Sequence, residues 1–123
     1  MRILVTNDDG FDSPGLHVVA KALKPLGELV VAAPDREYSG ASASVGPIPL
    51  TTEKYRVVID GIDEAWAVKG PPALIVFLAG LGAFGEPFDI VVSGINPGAN
   101  VGHPVYLSGT IGAAVVARLN GAT

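Results

Sequence analysis

Three continuous apolar runs, separated by helix-type patterns, restrict the fold of this chain more than any other feature. They lie at residues 2–6, 28–33 and 88–92, and each is typical of a strand that is buried on both faces. Apolar residues at helical spacing follow the first run, where Ser13 and Pro14 are typical of a helix start. Strands that alternate with helices predict an α/β fold with a mostly parallel sheet between helices.

The rest of the chain supplies shorter elements and two further helices. Three short alternating segments, interpreted as a β-ribbon or antiparallel excursion from the sheet, lie at 48–52, 55–60 and 65–69. An almost wholly apolar helix is predicted over 71–82, and a helix that is apolar on all sides is buried or lies at an interface. A last helix is predicted at about 109–119. Because another strand would be expected after it, we expect a single α/β domain over 1–123, truncated at its C-terminus.

The composition excludes several classes of function. The chain has 123 residues, of which 49% are hydrophobic, and its net charge is −4 without any cluster of Lys and Arg. A basic stripe is needed to bind a nucleic-acid polymer, so we expect no such partner. The absence of cysteine excludes disulfides and thiolate metal sites. The longest apolar stretch, 73–83, is too short to span a bilayer. With no signal-peptide pattern, we expect a cytoplasmic protein without a membrane partner.

Two adjacent acids follow the first predicted strand, in the segment NDDG at 7–10. Neighbouring carboxylates at a strand end repel each other, and partial burial raises their pKa unless a cation compensates the charge. Neighbouring side chains of a strand point to opposite faces, so Asp8 and Asp9 can share an ion only if the chain turns there. Gly10 permits that turn. A simple Asp-Gly hairpin turn is the alternative, but a helix pattern follows instead of a second strand.

Further polar segments follow the other strands. They lie at 38–42 and 93–100, and parallel strands would bring both to the same edge of the sheet as the acids. Carboxylates, hydroxyls and carboxamides are oxygen ligands that suit Mg²⁺ or Mn²⁺. Residues 108–110 stand at a predicted helix start, where free N–H groups can hold a phosphate or Ser108 can simply cap the helix. A metal beside a phosphate seat predicts phosphoryl chemistry.

Four segments give the chain a resemblance to a known family. The segments MRILVTNDDG, APDREYSGAS, SGINPGAN and SGTIGAA resemble the SurE family of stationary-phase survival nucleotidases, in order and spacing over essentially the whole chain. The resemblance implies a Rossmann-like three-layer sandwich. It also implies a metal-dependent phosphatase acting on nucleoside 5′- or 3′-monophosphates, and in some members on short polyphosphate. The full-length form would be a homodimer or homotetramer.

The resemblance also assigns site residues by motif. It implies one divalent cation per subunit, Mg²⁺ or Mn²⁺, with four ligands: Asp8, Asp9, Ser39 and Asn96. The two acids, Asp8 and Asp9, are the predicted catalytic residues. The predicted contacts to substrate or phosphate are Asn7, Gly40, Asn100, Ser108, Gly109 and Thr110. Asn7 has an alternative role as structural support for the acid loop, and Asn100 as a loop-stabilising amide.

One segment departs from the family pattern and keeps other functions open. The family usually reads GTPADC where this chain has GPPALI at 70–75, and family members are considerably longer. The first alternative is therefore a non-catalytic α/β module that binds a metal or nucleotide. A phospho-receiver domain is a second alternative, but it needs an acceptor aspartate after a later strand. Asp89 lies inside the predicted strand 88–92 instead.

Overall fold

The computed structural model describes residues 1–37, 52–97 and 108–123. Five strands and three α-helices form the described part. Their order is β1 (Arg2–Thr6), α1 (Pro14–Leu23), a 3-10 turn (Lys24–Leu26), β2 (Glu28–Pro34), β3 (Lys54–Arg56), β4 (Ala65–Val68), α2 (Pro72–Gly80), β5 (Ile90–Ser93) and α3 (Gly109–Leu119). The predicted alternation of strands and helices is confirmed.

The five strands form one mixed sheet in the order β3-β4-β2-β1-β5. All neighbours are parallel except β3, which runs antiparallel to β4. In the centre of the sheet, Leu4 of β1 lies opposite Val30 of β2 and Val91 of β5. This topology confirms the predicted α/β, Rossmann-like fold with a mostly parallel sheet.

Helices cover both faces of the sheet, which explains the continuous apolar sequence of its central strands. Successive residues of a strand point to opposite faces. Leu4 belongs to a buried cluster with Ile75 of α2 and Ala113 of α3, whereas Val5 belongs to a second cluster with Leu16 of α1. The arrangement is therefore a three-layer sandwich with α1 on one face and α2 with α3 on the other.

The apolar helix predicted over 71–82 is α2, which ends at Gly80. Six of its nine residues are buried, because it packs against α3 and β2. Its apolar surface is thus used mainly within the chain, although Leu81 just beyond its end is 69% exposed. None of the helices in the described ranges is long and apolar enough to cross a membrane.

Some predicted strands differ from the observed ones. The segment at 65–69 is not part of an excursion: β4 pairs in parallel with β2, because its apolar residues complete the core. The segment predicted at 55–60 is shorter and forms β3, and residues 48–51 lie outside the described part. The strand predicted over 88–92 begins at Ile90, because the Asp89 carboxylate accepts the Arg2 N–H at 2.7 Å and turns the chain. It is half-buried rather than buried, since β1 is its only neighbouring strand in the described sheet.

The strand order defines where a ligand crevice opens. The connection from β1 to β2 runs through α1 on one face, whereas the connection from β4 to β5 runs through α2 on the other face. After β1 the chain continues into α1 on one face, and after β5 it continues into α3 on the other face, so a ligand crevice is expected at the carboxyl ends of these two strands. Open α/β sheets bind their ligands at such a point. We call this side of the sheet the carboxyl edge.

Candidate metal and phosphate site

The acid loop, residues 7–10, is held in shape by the side chain of Asn7. This amide is fully buried, donates from Nδ2 to the Gly10 carbonyl at 2.9 Å, and accepts the Gly10 N–H at 3.2 Å. Gly10 has a φ of 111°, which confirms that the chain turns there. The next N–H, of Phe11, donates to the carbonyl of Pro34 at 2.9 Å and ties the loop to the end of β2. Asn7 therefore acts as structural support, and its contact with substrate stays a prediction.

Asp8 lies against the first turn of α3. The residue is only 4% exposed, and its Oδ1 accepts a hydrogen bond from the Thr110 hydroxyl at 3.2 Å. A Cβ added at Gly109 would lie 2.8 Å from the Asp8 Cβ, so the glycine is what allows the helix to approach so closely. The amino end of a helix carries partial positive charge, which favours a carboxylate at this position. The structure thus brings together two segments that the sequence separates by 102 positions.

Asp9 has an oxygen that nothing in the described ranges satisfies. Its Oδ2 is buried without a hydrogen-bond partner there, and the Thr6 hydroxyl nearby on the chain is in the same condition. Burial raises the pKa of Asp9, and the negative charges of Asp8 and Glu37 raise it further. An unpartnered carboxylate oxygen beside a second acid is unfavourable unless a cation joins it. The residues present therefore fit a hard divalent cation.

The segment that follows β5 leaves the sheet beside the acid loop. Ser93 lies opposite Thr6 in the sheet register, and the Gly94 N–H donates to the Thr6 carbonyl at 3.0 Å. The Ile95 carbonyl packs on α1, where a Cβ added at Gly15 would lie 2.9 Å from its oxygen. Asn96 follows Ile95 directly and therefore lies near the carboxyl edge, and its role as a metal ligand stays a prediction. The other predicted residues Ser39, Gly40 and Asn100 lie outside the described residues.

Ser108 caps the amino end of α3. Its hydroxyl accepts the Ile111 N–H at 3.2 Å, and its carbonyl accepts the Gly112 N–H at 2.9 Å. Gly109 is also enclosed by Pro72, whose Cγ would lie 3.2 Å from an added Cβ. The segment at 70–75 that departs from the family pattern therefore touches the start of α3. The capping role of Ser108 is confirmed, and phosphate contacts from residues 108–110 stay a prediction compatible with it.

Two hydrogen bonds of this site were not predicted from the sequence. One joins Thr110 to Asp8, and the other runs from the Ser93 hydroxyl to the Thr110 carbonyl at 2.7 Å. The sequence feature that could have indicated a role for Ser93 in the site is its position at the end of β5, directly opposite the end of β1. Within the described ranges, no group of three or more His, Cys, Asp and Glu side chains could hold a metal. The predicted ligand set contains only two carboxylates, so it does not require such a group.

Comparisons with known proteins agree on one family. The model of the family described as "Survival protein SurE" matches residues 3–123. Proteins named "5'-nucleotidase SurE" are similar to this chain: that of Acinetobacter baumannii is 49% identical over 119 residues, and that of Dehalococcoides mccartyi is 51% identical over 116 residues. These alignments cover 97% and 94% of this chain.

A solved structure extends the agreement to the fold. The crystal structure of the SurE protein from Aquifex aeolicus superposes with a TM-score of 0.82 at 36% sequence identity, and covers 99% of this chain. The chain spans less than half of each of these proteins: 45% and 43% of the two relatives and 48% of the crystallised chain. The family match over almost the whole chain and the shared fold lead to one conclusion. The chain belongs to the SurE family.

Proposed function

We propose that this chain carries the metal and phosphate site of a divalent-metal-dependent phosphatase, which hydrolyses nucleoside monophosphates to nucleoside and phosphate. One observation carries the proposal: at the end of β1, Asp8 lies against the amino end of α3, while Asp9 has an oxygen without a hydrogen-bond partner among residues 1–37, 52–97 and 108–123. A cation at the two carboxylates would therefore lie next to a helix start that favours anions. The 5′-nucleotidase name of the relatives gives the proposal its substrate class.

The residues that would hold the cation are those of the acid loop and its neighbours. Asp8, Asp9 and Asn96, joined by Ser39, offer only oxygen donors, which suits one Mg²⁺ or Mn²⁺ per subunit. When bound, such an ion polarises a phosphoryl oxygen and offsets the negative charge that develops there. Asn7 holds the backbone of the loop through its two hydrogen bonds with Gly10, which supports both carboxylates at the end of β1.

The amino end of α3 would bind the phosphate itself. Asp8 and Pro72 pack against Gly109, so a phosphate would reach the first N–H groups of α3 from beside the Asp8 carboxylate. Ser108 satisfies the later N–H of Ile111 and keeps the first turn regular. The helix dipole adds a favourable interaction with the negative phosphoryl group. Binding and orientation of phosphate therefore fall to backbone groups more than to side chains.

Finer features of the activity belong to the same proposal. We propose nucleoside 5′-monophosphates as substrates, with 3′-monophosphates and short polyphosphate as further candidates. For the full-length protein we propose a homodimer or homotetramer, which is supported by large apolar side chains that this chain exposes beside α2 and on α3. They are Leu81, Val115 and Leu119, at 69%, 49% and 80% exposed. The cytoplasmic location stays a prediction from the sequence.

A second candidate function is a non-catalytic module that binds a metal or nucleotide. It is favoured by the position of Pro72, which belongs to the segment that departs from the family pattern and packs on Gly109 at the start of α3. Changes in this segment reach the proposed phosphate seat directly. Binding of AMP in a calorimeter without any turnover would support this candidate over the enzyme.

The proposal is tested by phosphate release. Purified chain is incubated with 5′-AMP, 3′-AMP or tripolyphosphate, first with Mn²⁺ and then with EDTA. We expect release from 5′-AMP that requires Mn²⁺ and ceases with EDTA. Release that persists in EDTA would contradict metal dependence. No release from folded chain that binds Mn²⁺ would contradict catalysis by these 123 residues.

A further inference from the structure

Three elements meet in a short line of hydrogen bonds behind the acid loop. The Ser93 hydroxyl at the end of β5 donates to the Thr110 carbonyl at 2.7 Å, and the Thr110 hydroxyl donates to Asp8 Oδ1 at 3.2 Å. Thr110 is 7% exposed and Asp8 is 4% exposed, so the second bond lies away from solvent. The first turn of α3 is thereby joined to both strands that border the crevice.

The chemistry of a hydroxyl group limits what Thr110 can do in addition. A threonine hydroxyl has one proton to donate, and here Asp8 accepts it. A phosphate dianion presents acceptors only, so the same hydroxyl cannot donate to phosphate and to Asp8 at once. We infer that Thr110 is a positioning residue, which fixes the Asp8 carboxylate for the cation, and that its hydroxyl is not a phosphate ligand. The inference deepens the proposed function and depends on it for the identity of the cation site.

Packing around the pair supports the same role. Gly109 brings the helix backbone close to Asp8, since a Cβ added to it would lie only 3.3 Å from Asp8 Oδ2. The bond from Thr110 holds the other oxygen, and Ser93 holds the backbone of Thr110. The Asp8 carboxylate is therefore held by a hydrogen bond at Oδ1 and packed against the start of α3 at Oδ2. Groups that orient a metal ligand in this way commonly change metal affinity 10- to 100-fold when they are removed.

The test compares two substitutions at one position. Thr110→Val keeps the volume and removes the hydroxyl, whereas Thr110→Ser keeps the hydroxyl and removes the methyl group. Calorimetric titration with Mn²⁺, without substrate, should show a Kd at least tenfold higher for Thr110→Val. The Kd of Thr110→Ser should stay within about threefold of the wild-type value. Equal Mn²⁺ affinity of Thr110→Val and wild type would overturn the inference, as would equal loss in both variants.

Titration with inorganic phosphate in saturating Mn²⁺ separates positioning from direct phosphate binding. If the Thr110 hydroxyl were a phosphate ligand, Thr110→Val would weaken phosphate binding and leave Mn²⁺ affinity unchanged, which would overturn the inference.

A cooperative unfolding transition in EDTA shows that each variant is folded. If Thr110→Val does not fold, Ser93→Ala replaces it: a several-fold weaker Mn²⁺ affinity is expected, and wild-type affinity would overturn the inference. If the wild-type chain binds Mn²⁺ but releases no phosphate, the proposed catalytic function is wrong. The comparison of Mn²⁺ affinity between wild type and the Thr110 variants would still test the positioning role.

Discussion

Gly109 lies so close to Asp8 that an added Cβ would be 2.8 Å from the Asp8 Cβ, a distance that real side chains do not tolerate. The contact joins the start of α3 to the end of β1, and Pro72 of α2 also packs against Gly109. The position of the Asp8 carboxylate thus depends on the absence of a side chain in a different element.

Gly109→Ala should push Asp8 and α3 apart. We expect a loss of about 1–3 kcal/mol in the free energy of unfolding, which is typical of overpacking at a close contact. Affinity for Mn²⁺ should fall with it, because Asp8 moves. Urea unfolding and Mn²⁺ titration measure the two effects. Ala114→Ser, at an exposed position of the same helix, is the matched control and should change stability by less than about 0.5 kcal/mol. Wild-type values for Gly109→Ala would refute the close contact.

Asp9→Asn should make the metal-free protein more stable while it weakens metal binding. The pKa of Asp9 is raised in the folded chain by burial and by the charges of Asp8 and Glu37. The folded state therefore binds its proton more tightly than the unfolded state. This contribution favours folding at low pH and is lost as the pH rises through the folded pKa. Asparagine cannot ionise, so it avoids the cost of a buried negative charge at neutral pH. In EDTA at neutral pH we therefore expect a higher Tm for Asp9→Asn than for wild type.

Measuring the Tm of Asp9→Asn and wild type near pH 3 tests whether the ionised carboxylate causes the difference. There Asp9 is protonated in both states, and the difference in Tm between Asp9→Asn and wild type should largely disappear. Asp60→Asn is the matched control, since the Asp60 side chain is fully exposed and far along the chain from the acid loop. It should not raise the Tm. A lower Tm for Asp9→Asn at neutral pH in EDTA would show that the carboxylate is already compensated within the chain.

Arg2→Ala should destabilise the fold without affecting the proposed cation site. Arg2 lies at the amino end of β1, on the side of the sheet opposite the carboxyl edge. Its guanidinium donates to the carbonyls of Glu86 and Phe84 and pairs with Glu28 at 2.9 Å. It also stacks 4.5 Å from the ring centre of Phe88. Loss of these contacts should cost about 2 kcal/mol of unfolding free energy. Arg2→Lys, which keeps the charge and loses the planar fork, should recover only part of it.

Mn²⁺ affinity distinguishes Arg2 from the residues proposed to hold the cation. Arg2→Ala should bind Mn²⁺ like wild type at temperatures well below its Tm. A large loss of affinity in the folded variant would mean that the two edges of the sheet are energetically coupled, and it would contradict the assignment of Arg2 to stability alone.

The sequence predicted those features that depend on local pattern. The apolar runs of β1 and β2 are continuous because helices cover both faces of the sheet, and such runs are recognisable without coordinates. Gly10 was identified as a turn from its type alone. The position of β4 was misjudged because four residues, Ala65–Val68, are too few to distinguish a sheet strand from an excursion. The bond between Thr110 and Asp8 could not be predicted, since it depends on how α3 packs across 102 positions of sequence.

The claim that Asp8 and Asp9 hold a divalent cation is tested most directly by counting bound Mn²⁺. Electron paramagnetic resonance of free Mn²⁺, in titrations of wild type and Asp9→Asn at neutral pH, gives both the number of sites and their affinity. We expect one site per chain in wild type, and an affinity at least tenfold weaker in Asp9→Asn. Equal numbers and affinities in both proteins would contradict the assignment of the acid loop as the metal site.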